Sequence, residues 1–352
     1  MRLHRPNTRG RLVLAAIAVA VVTTACSSAN GQGPSLDSDE PIPNKVDKDT
    51  VLRIGDPETQ TALELSGQID KLPFKVEWAN LSGGPQTSEA FRADALDVGA
   101  VADIPPLFAH WTGLDVKIVA AQFRKDPVHH PIYQLGVAPG VDVKSLDDLR
   151  GKKIAYSPGQ AQGALVLRVL AKAGLEQDDV ELVEMASTED VYVDAVGSGQ
   201  VDVAPLGGVL NRTYLAKYGD EGGTTITHGL RDDPFHLYVQ SSVLDDADKA
   251  AALKEYVKYW ARAQQWMRDH PQEWIKGYYV DHEGLSEADG KYLFKAFGQV
   301  DIPASWDDVI ERHQETADLL AKEQDREEFD VEDIYDRRYE AVGAKALQGA
   351  DR

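Results

Sequence analysis

Cysteine is nearly absent from the chain, which has a single one, Cys26, among its 352 residues. No disulfide can form within one molecule, so core burial must stabilise the fold. Basic residues are also scarce: 37 Lys and Arg stand against 58 Asp and Glu, which gives a formal net charge of −21. Nucleic acid is therefore not expected as a partner, because phosphate binding requires clustered Lys and Arg.

The amino terminus combines basic residues with an apolar run that is too short to cross a bilayer. Residues 12–22 are all apolar, whereas a transmembrane helix needs ~20 such residues. A basic segment before a run of this length is typical of a secretory signal. The basic residues are Arg2, Arg5, Arg9 and Arg11.

The residues after this run predict a lipid anchor. Thr23, Thr24 and Ala25 precede Cys26 and resemble the lipobox of bacterial lipoproteins. We therefore predict a signal peptide over residues 1–25, lipidation of Cys26 and attachment to the outer face of a membrane. The alternative is an ordinary secretory signal with a cysteine near the cut. Residues 26–49 are polar and predict a flexible tether.

From residue 50 onward, short β-branched runs alternate with amphipathic stretches, which predicts parallel βα units and an α/β fold. Predicted strands occupy residues 51–55, 74–78, 98–101, 116–121, 153–156, 180–183 and 201–204. Four helices are predicted near the end of the chain, in residues 249–268, 273–279, 287–297 and 307–322. Residues after about 342 are expected to be frayed.

The pattern predicts two lobes that are built alike. Asp97-Val98 and Asp202-Val203 each begin a strand after a helix. Strands at residues 132–137 and 235–239 are predicted to connect the lobes as a hinge. We expect the first lobe in residues 50–138, the second in 139–239, and a helical return to the first lobe in 240–352. A monomer is expected.

Loops between strand ends and helix starts are rich in small and amide residues. In an open parallel sheet, ligands lie beyond the carboxyl ends of the strands, where helix N-termini present free N–H groups. Such loops can hold an anion without arginine; the alternative is that they are ordinary turns. The predicted ligand-binding residues are Gly55, Asp56, Ser82, Gly83, Gly84, Gln86, Ala102, Asp103, Ser157, Gly159, Gln160, Gln162, Gly207 and Gly208.

Two other features are given structural interpretations. His129 and His130 are adjacent and point apart in an extended segment, so no metal site is expected. No cofactor and no catalytic residue are predicted. Arg124 is expected to lie on the surface.

Several motifs carry a resemblance to a known family. They are Gly84-Pro85-Gln86, Asp97-Val98-Gly99, Asp103-Ile104-Pro105-Pro106 and Leu149-Arg150-Gly151-Lys152-Lys153-Ile154-Ala155. In this order they resemble the aliphatic-sulfonate-binding proteins of ABC transporters, whose wider family includes taurine-, nitrate- and thiamine-precursor-binding proteins. The resemblance implies a two-lobed periplasmic binding protein fold of the second type, with the C-terminal helices on the first lobe.

The resemblance also implies a function: an extracytoplasmic receptor that passes a small anion, such as an aliphatic sulfonate, to an ABC permease. One segment departs from the family pattern, because Pro205-Leu206-Gly207-Gly208 stands where many members have Trp-Asp-Pro. Two alternatives remain. One is an enzyme on the same fold, similar to a desulfinase or a thiamine-pyrimidine synthase. The other is a receptor for a signalling partner.

Overall fold

The computed structural model describes residues 33–81, 83–188, 190–231 and 235–349. The predicted signal peptide, Cys26 and Ser82 lie outside these ranges. Within them, no helix is both long enough and apolar enough to cross a membrane.

Strands and helices alternate along most of the described chain. The strands are β1 (Val51–Gly55), β2 (Lys75–Trp78), β3 (Val98–Ala102), β4 (Val116–Arg124), β5 (Tyr133–Val137), β6 (Lys153–Tyr156), β7 (Glu181–Glu184), β8 (Val203–Gly207), β9 (Thr224–Ile226), β10 (Phe235–Gln240) and β11 (Val300–Asp301). They form two sheets with the orders β11-β4-β10-β3-β1-β2 and β7-β6-β8-β5-β9. The first sheet with its helices is called the first lobe below, and the second sheet with its helices the second lobe.

The helices surround these sheets. They are α1 (Pro57–Leu65), α2 (Gly84–Arg92), α3 (Ile104–Trp111), α4 (Ala161–Ala173), α5 (Val191–Gly197), α6 (Leu210–Tyr218), α7 (Ser241–Leu244), α8 (Ala247–Asp269), α9 (Pro271–Trp274), α10 (Glu287–Phe297), α11 (Asp307–Glu323) and α12 (Val342–Gln348), with a π-helix at Ile275–His282. Local sequence explains several of their ends: Asp246 caps α8, and Gly174 ends α4 in the left-handed conformation.

The core of each lobe follows from its parallel strands. β2, β1 and β3 are parallel in the first sheet, as are β7, β6 and β8 in the second. Strands of this kind are buried on both faces and need apolar side chains throughout. Leu52, Ile54 and Val98 in the first sheet and Val203 in the second are fully buried. The prediction of an α/β fold is confirmed.

The two lobes repeat one hydrogen-bonding arrangement. The Asp97 carboxylate accepts from the backbone N–H of Arg53 at 2.8 Å, and the Asp202 carboxylate accepts from that of Lys153 at 2.8 Å. The Asp97 and Asp202 N–H groups donate in return to the carbonyls of Arg53 and Lys153. Each aspartate thereby ties the start of one strand to its parallel neighbour.

The predicted lobe boundaries need correction, because the two predicted hinge strands lie inside the sheets. β5 pairs with β8 and β9 in the second sheet, and β10 pairs with β3 and β4 in the first. The chain crosses between β4 and β5, and again between β9 and β10. A hydrophobic extended run in the sequence has the same pattern whether it connects two lobes or pairs within one.

The prediction of a flexible tether is wrong for residues 33–49. Leu36 and Ile42 are buried in the core, and the Leu36 N–H donates to the Asp245 carbonyl at 2.8 Å. Arg338 Nη1 donates to the carbonyls of Asp37 and Glu40 at 3.1 and 3.0 Å. These contacts fix the segment against the first lobe, although its composition is that of a linker.

The C-terminal helices pack on the first lobe, as predicted. The Tyr256 hydroxyl on α8 donates to Asp56 at 2.9 Å, and the Tyr339 hydroxyl donates to the Ala250 carbonyl at 3.0 Å. The prediction of a frayed end is wrong up to residue 349: α12 packs along α8 and buries Ala344 and Ala346.

Candidate ligand-binding site

Two loops at the carboxyl end of the first sheet lie against each other. Gly84, the first residue of α2, is buried, and a Cβ on it would lie 2.4 Å from Pro105 Cγ. Pro105 belongs to the first turn of α3. Glycine at position 84 therefore lets the loop after β2 reach the start of α3.

The loop after β6 brings the second lobe to the same place. Gly159 has φ +83°, and a Cβ there would lie 3.1 Å from Phe108 Cδ1 on α3. Gly163, in the first turn of α4, lies so close to the loop that its Cβ would come within 2.1 Å of the Ser157 carbonyl oxygen. The predicted loops at residues 83–86 and 157–162, from different lobes, therefore both contact α3, which begins directly after the predicted residues 102–103.

The helices that begin at these loops lack side-chain caps. Asp56, Asp246 and Ser286 cap α1, α8 and α10 with side-chain hydrogen bonds. No described side chain caps α2, α3 or α4, and the same holds for helices away from these loops, such as α6 and α11. Uncapped first turns carry the positive end of the helix dipole and attract anions.

The two predicted acidic residues are already bonded within the protein. Asp56 is buried and accepts hydrogen bonds from the Thr59 N–H at 3.1 Å and the Tyr256 hydroxyl at 2.9 Å. Burial raises the pKa of the Asp56 carboxyl, which disfavours its negative charge. Asp103 pairs with Arg168 Nη2 at 3.2 Å. Arg168, which lies 65 residues away along the chain, is not among the predicted binding residues.

The other predicted residues have varied surroundings. Ser157 is buried beside Tyr192, whose pKa burial raises to about 12. The Gln160 side-chain oxygen accepts from the Ser187 hydroxyl. A Cβ on Gly207 would lie 2.6 Å from the Tyr133 ring, and one on Gly208 would lie 3.3 Å from Leu293. Gly55 ends β1, Ala102 ends β3, Gly83 precedes α2, and Gln86 and Gln162 lie in the first turns of α2 and α4.

The expectation that Arg124 lies on the surface is wrong. Arg124 is 3% exposed, and its Nη1 donates to the Ala296 carbonyl at 3.0 Å and to the His130 carbonyl. The Arg124 guanidinium lies 5.9 Å from the centre of the Phe297 ring. Arg124 therefore links the first crossing between the lobes to α10, an arrangement that local sequence cannot reveal.

No metal centre is found: within the described ranges no three His, Cys, Asp or Glu side chains are placed to hold a metal ion. His129 contacts Asp126 at 2.7 Å in an exposed turn.

Glu58, in the first turn of α1, is an acidic residue that is not among the predicted binding residues. Burial raises the pKa of its carboxyl to about 7, and the nearby Asp56 adds to the shift, while Arg268 opposes it. Because α1 begins at the carboxyl end of β1, Glu58 lies at the same end of the sheet as the loops above.

We predict that Glu58→Gln stabilises the protein at pH 8 by about 1–2 kcal/mol, after allowance for solvent screening, and by less at pH 5. A carboxyl pKa that is higher in the folded state stabilises that state when the pH is below the pKa of the unfolded state. This stabilisation is lost as the pH rises through the folded-state pKa of about 7. Urea unfolding at the two pH values measures the difference. Equal effects at pH 5 and pH 8 would contradict the assignment.

Comparison with known proteins identifies the family. A family model described as NMT1/THI5 like matches residues 75–274, more than half of the chain. The chain belongs to the NMT1/THI5-like family. The resemblance seen in the motifs is thereby confirmed, and the matched region includes the loops at residues 83–86, 102–103 and 157–162.

Relatives of this NMT1/THI5-like protein include sulfonate-binding proteins. Over 174 residues it is 34% identical to a protein of Escherichia coli (strain K12) named as an aliphatic sulfonates-binding protein. The match covers 43% of this chain and 53% of that protein, so the chain spans about half the length of this curated relative.

Solved structures share the fold. The periplasmic aliphatic sulphonate binding protein SsuA of Escherichia coli has a TM-score of 0.68 at 22% identity, covering 81% of this chain and 91% of that one. The alkanesulfonate-binding protein SsuA of Xanthomonas axonopodis pv. citri, bound to MOPS, has a TM-score of 0.67 at 23% identity. This match covers 82% of this chain and 99% of that one. The desulfurization enzyme DSZB has a TM-score of 0.58 at 16% identity, and the match covers 85% of this chain and 99% of that one. The NMT1/THI5-like chain therefore has the periplasmic binding protein fold.

Proposed function

We propose that the protein is an extracytoplasmic solute receptor of an ABC importer and binds a small anion, such as an aliphatic sulfonate, between its lobes. The observation that carries this proposal is that the start of α2 and the loop before α4, which belong to different lobes, both contact α3, and that neither helix has a side-chain cap. The name of the Escherichia coli relative supports a sulfonate as the ligand.

Helix N-termini and neutral hydrogen-bond donors hold the anion at the proposed site. No lysine or arginine occurs in residues 82–88 or 157–163. Hydrogen bonds to a charged group contribute ~1.5–3 kcal/mol each, so a few suffice for micromolar binding. The nearby acids oppose an anion only weakly, because Arg168 neutralises Asp103 and burial disfavours the charge of Asp56.

We expect calorimetric titration to show binding of ethanesulfonate and butanesulfonate, and none of ethanol or ethylamine. Gln160→Ala should weaken sulfonate binding about tenfold to a hundredfold, because one donor to the anion is lost. Gln177→Ala is the matched control: its amide donates to Glu323 away from these loops, so affinity should be unchanged. Binding of ethanol or ethylamine as tight as that of the sulfonates would contradict an anion site.

The two crossings, between β4 and β5 and between β9 and β10, are the proposed hinge for closing the lobes around the ligand. X-ray scattering should then give a smaller radius of gyration in saturating ethanesulfonate. An unchanged radius with confirmed binding would contradict closure.

The proposal includes a lipid anchor on Cys26, supported by the sequence before it. We expect Cys26→Ser to move the protein from the membrane fraction to the soluble fraction, because in this proposal lipid chains on Cys26 hold it at the membrane. Cell fractionation measures this. Equal membrane association of both proteins would contradict lipidation.

A receptor is favoured over an enzyme. The alternative similar to a desulfinase requires a cysteine nucleophile, and the single cysteine of the sequence is Cys26, in the amino-terminal segment.

A further inference from the structure

A cavity of about 420 Å³ lies between α4, α11 and the segment that follows β9. Phe123 of β4 and His236 of β10 also line it. Cavities of 300–1,000 Å³ are typical of small-molecule sites. Of the predicted ligand-binding residues, only Asp103 contributes to this one, so it is distinct from the site at the helix N-termini.

The walls of this cavity are apolar, and basic groups outnumber acidic ones. Four basic side chains line it, against two acidic ones, Asp103 and Glu315; the basic ones are Arg168, Lys172, Arg231 and Arg312. Arg168 pairs with Asp103 at 3.2 Å, and Lys172 Nζ donates to two backbone carbonyls. Glu315 is exposed. The lining therefore favours an anion with an apolar body.

Arg312 is placed to bind such an anion. Its guanidinium lies 4.5 Å from the centre of the Phe123 ring. Its buried Nε has no hydrogen-bond partner in the described part of the protein. An arginine held over an aromatic ring can still offer its N–H groups to a carboxylate.

His236 adds an acceptor. The His313 Nε2 contacts the Asp103 carbonyl at 2.9 Å, so this nitrogen carries the proton and Nδ1 accepts from the Tyr335 hydroxyl, also at 2.9 Å. The Tyr335 oxygen then accepts from His236 Nε2 at 3.3 Å. Burial lowers the pKa of His236 well below its ordinary value, so the ring is neutral and Nδ1 carries a lone pair.

That lone pair is unused. His236 is 1% exposed, and its Nδ1 has no hydrogen-bond partner among the described residues. A buried acceptor of this kind favours a ligand that brings a donor. We propose that the cavity is a second binding site, for a small aromatic carboxylate that carries a hydroxyl group: Arg312 binds the carboxylate, and His236 Nδ1 accepts from the hydroxyl.

The test is calorimetric titration of the full-length protein, purified in detergent, with 4-hydroxybenzoate, benzoate and 4-hydroxybenzyl alcohol. We expect 4-hydroxybenzoate to bind about three- to tenfold more tightly than benzoate, the effect of one neutral hydrogen bond, and the alcohol to bind most weakly. Arg312→Met should weaken both acids about tenfold or more. His236→Phe should abolish the preference for the hydroxyl and leave benzoate binding unchanged.

Two controls locate the site. Ala171→Trp, on the exposed face of α4 that lines the cavity, should block both acids without disturbing the core. Gln160→Ala should have no effect on them. Absence of 4-hydroxybenzoate binding, binding that survives both Ala171→Trp and Arg312→Met, or displacement by ethanesulfonate would each overturn the proposal. Failure of sulfonate binding alone would overturn the proposed function and leave this site intact.

Discussion

Asp97→Ala should lower the free energy of unfolding by about 3 kcal/mol. Asp97 is 1% exposed and accepts from Arg53 Nη2 at 2.7 Å and Lys249 Nζ at 3.0 Å, in addition to the Arg53 N–H. Removing it leaves two cations without their shared anion. The cost lies at the lower end of the range for buried pairs, because both cations keep about a quarter of their side chains exposed.

This contribution should depend on pH. Burial alone would raise the pKa of Asp97, but hydrogen bonds from Arg53 and Lys249 outweigh it and lower the pKa. A carboxyl pKa that is lower in the folded state stabilises that state when the pH is above the pKa of the unfolded state. This stabilisation is lost as the pH falls through the folded-state pKa. Urea unfolding should therefore show a difference between wild type and Asp97→Ala that shrinks below pH ~4.

Asp202→Ala is the matched control. Asp202 makes the same backbone bond in the second lobe, to Lys153, and no ion pair involving it is found in the described part of the chain. We expect Asp202→Ala to lower the free energy of unfolding by about 1 kcal/mol, the value of one hydrogen bond. Equal costs for the two variants would show that the charges around Asp97 contribute nothing.

Gly163→Ala should abolish most of the sulfonate binding. The added Cβ would lie 2.1 Å from the Ser157 carbonyl oxygen and 2.7 Å from its carbon, which are backbone atoms that no side-chain rotation can move. The loop must therefore shift away from α4, at a cost of about 1–3 kcal/mol in stability. Losing one or two hydrogen bonds to the anion then weakens binding about a hundredfold. Calorimetric titration and urea unfolding measure the two effects.

Gly219→Ala tests whether the effect belongs to that contact. A Cβ on Gly219, at the end of α6, meets nothing within 4 Å. Its φ of −62° and ψ of −40° suit alanine, so stability should be unchanged or rise slightly. A Gly163→Ala protein that binds sulfonate as the wild type does would contradict the placement of the loop after β6 in the site.

The strands of both lobes could be predicted because their apolar β-branched runs are local features. The predicted strand at residues 153–156 coincides with β6, and the predicted helix at 287–297 coincides with α10. The packing of residues 33–49 could not be predicted, because Leu36 and Ile42 are isolated apolar residues in a polar segment. Their burial depends on a surface formed by residues some two hundred positions away, such as Asp245.

The candidate site could likewise be predicted only in part. Its loops could be predicted from small residues at strand ends, whereas the interactions that neutralise or bury its acids could not. Arg168 reaches Asp103, and Tyr256 reaches Asp56, only through the tertiary fold. Gly163 is not among the predicted binding residues, yet it is the position where the loop and α4 touch.

The proposed function requires an anion between the N-termini of α2 and α4. The most direct measurement is anomalous X-ray diffraction from crystals grown with 2-bromoethanesulfonate, whose bromine marks the ligand position. We predict a bromine peak between the lobes, with the sulfonate against the loops at Gly84 and Gln160. A peak only in the cavity beside Arg312, or only on the protein surface, would contradict it.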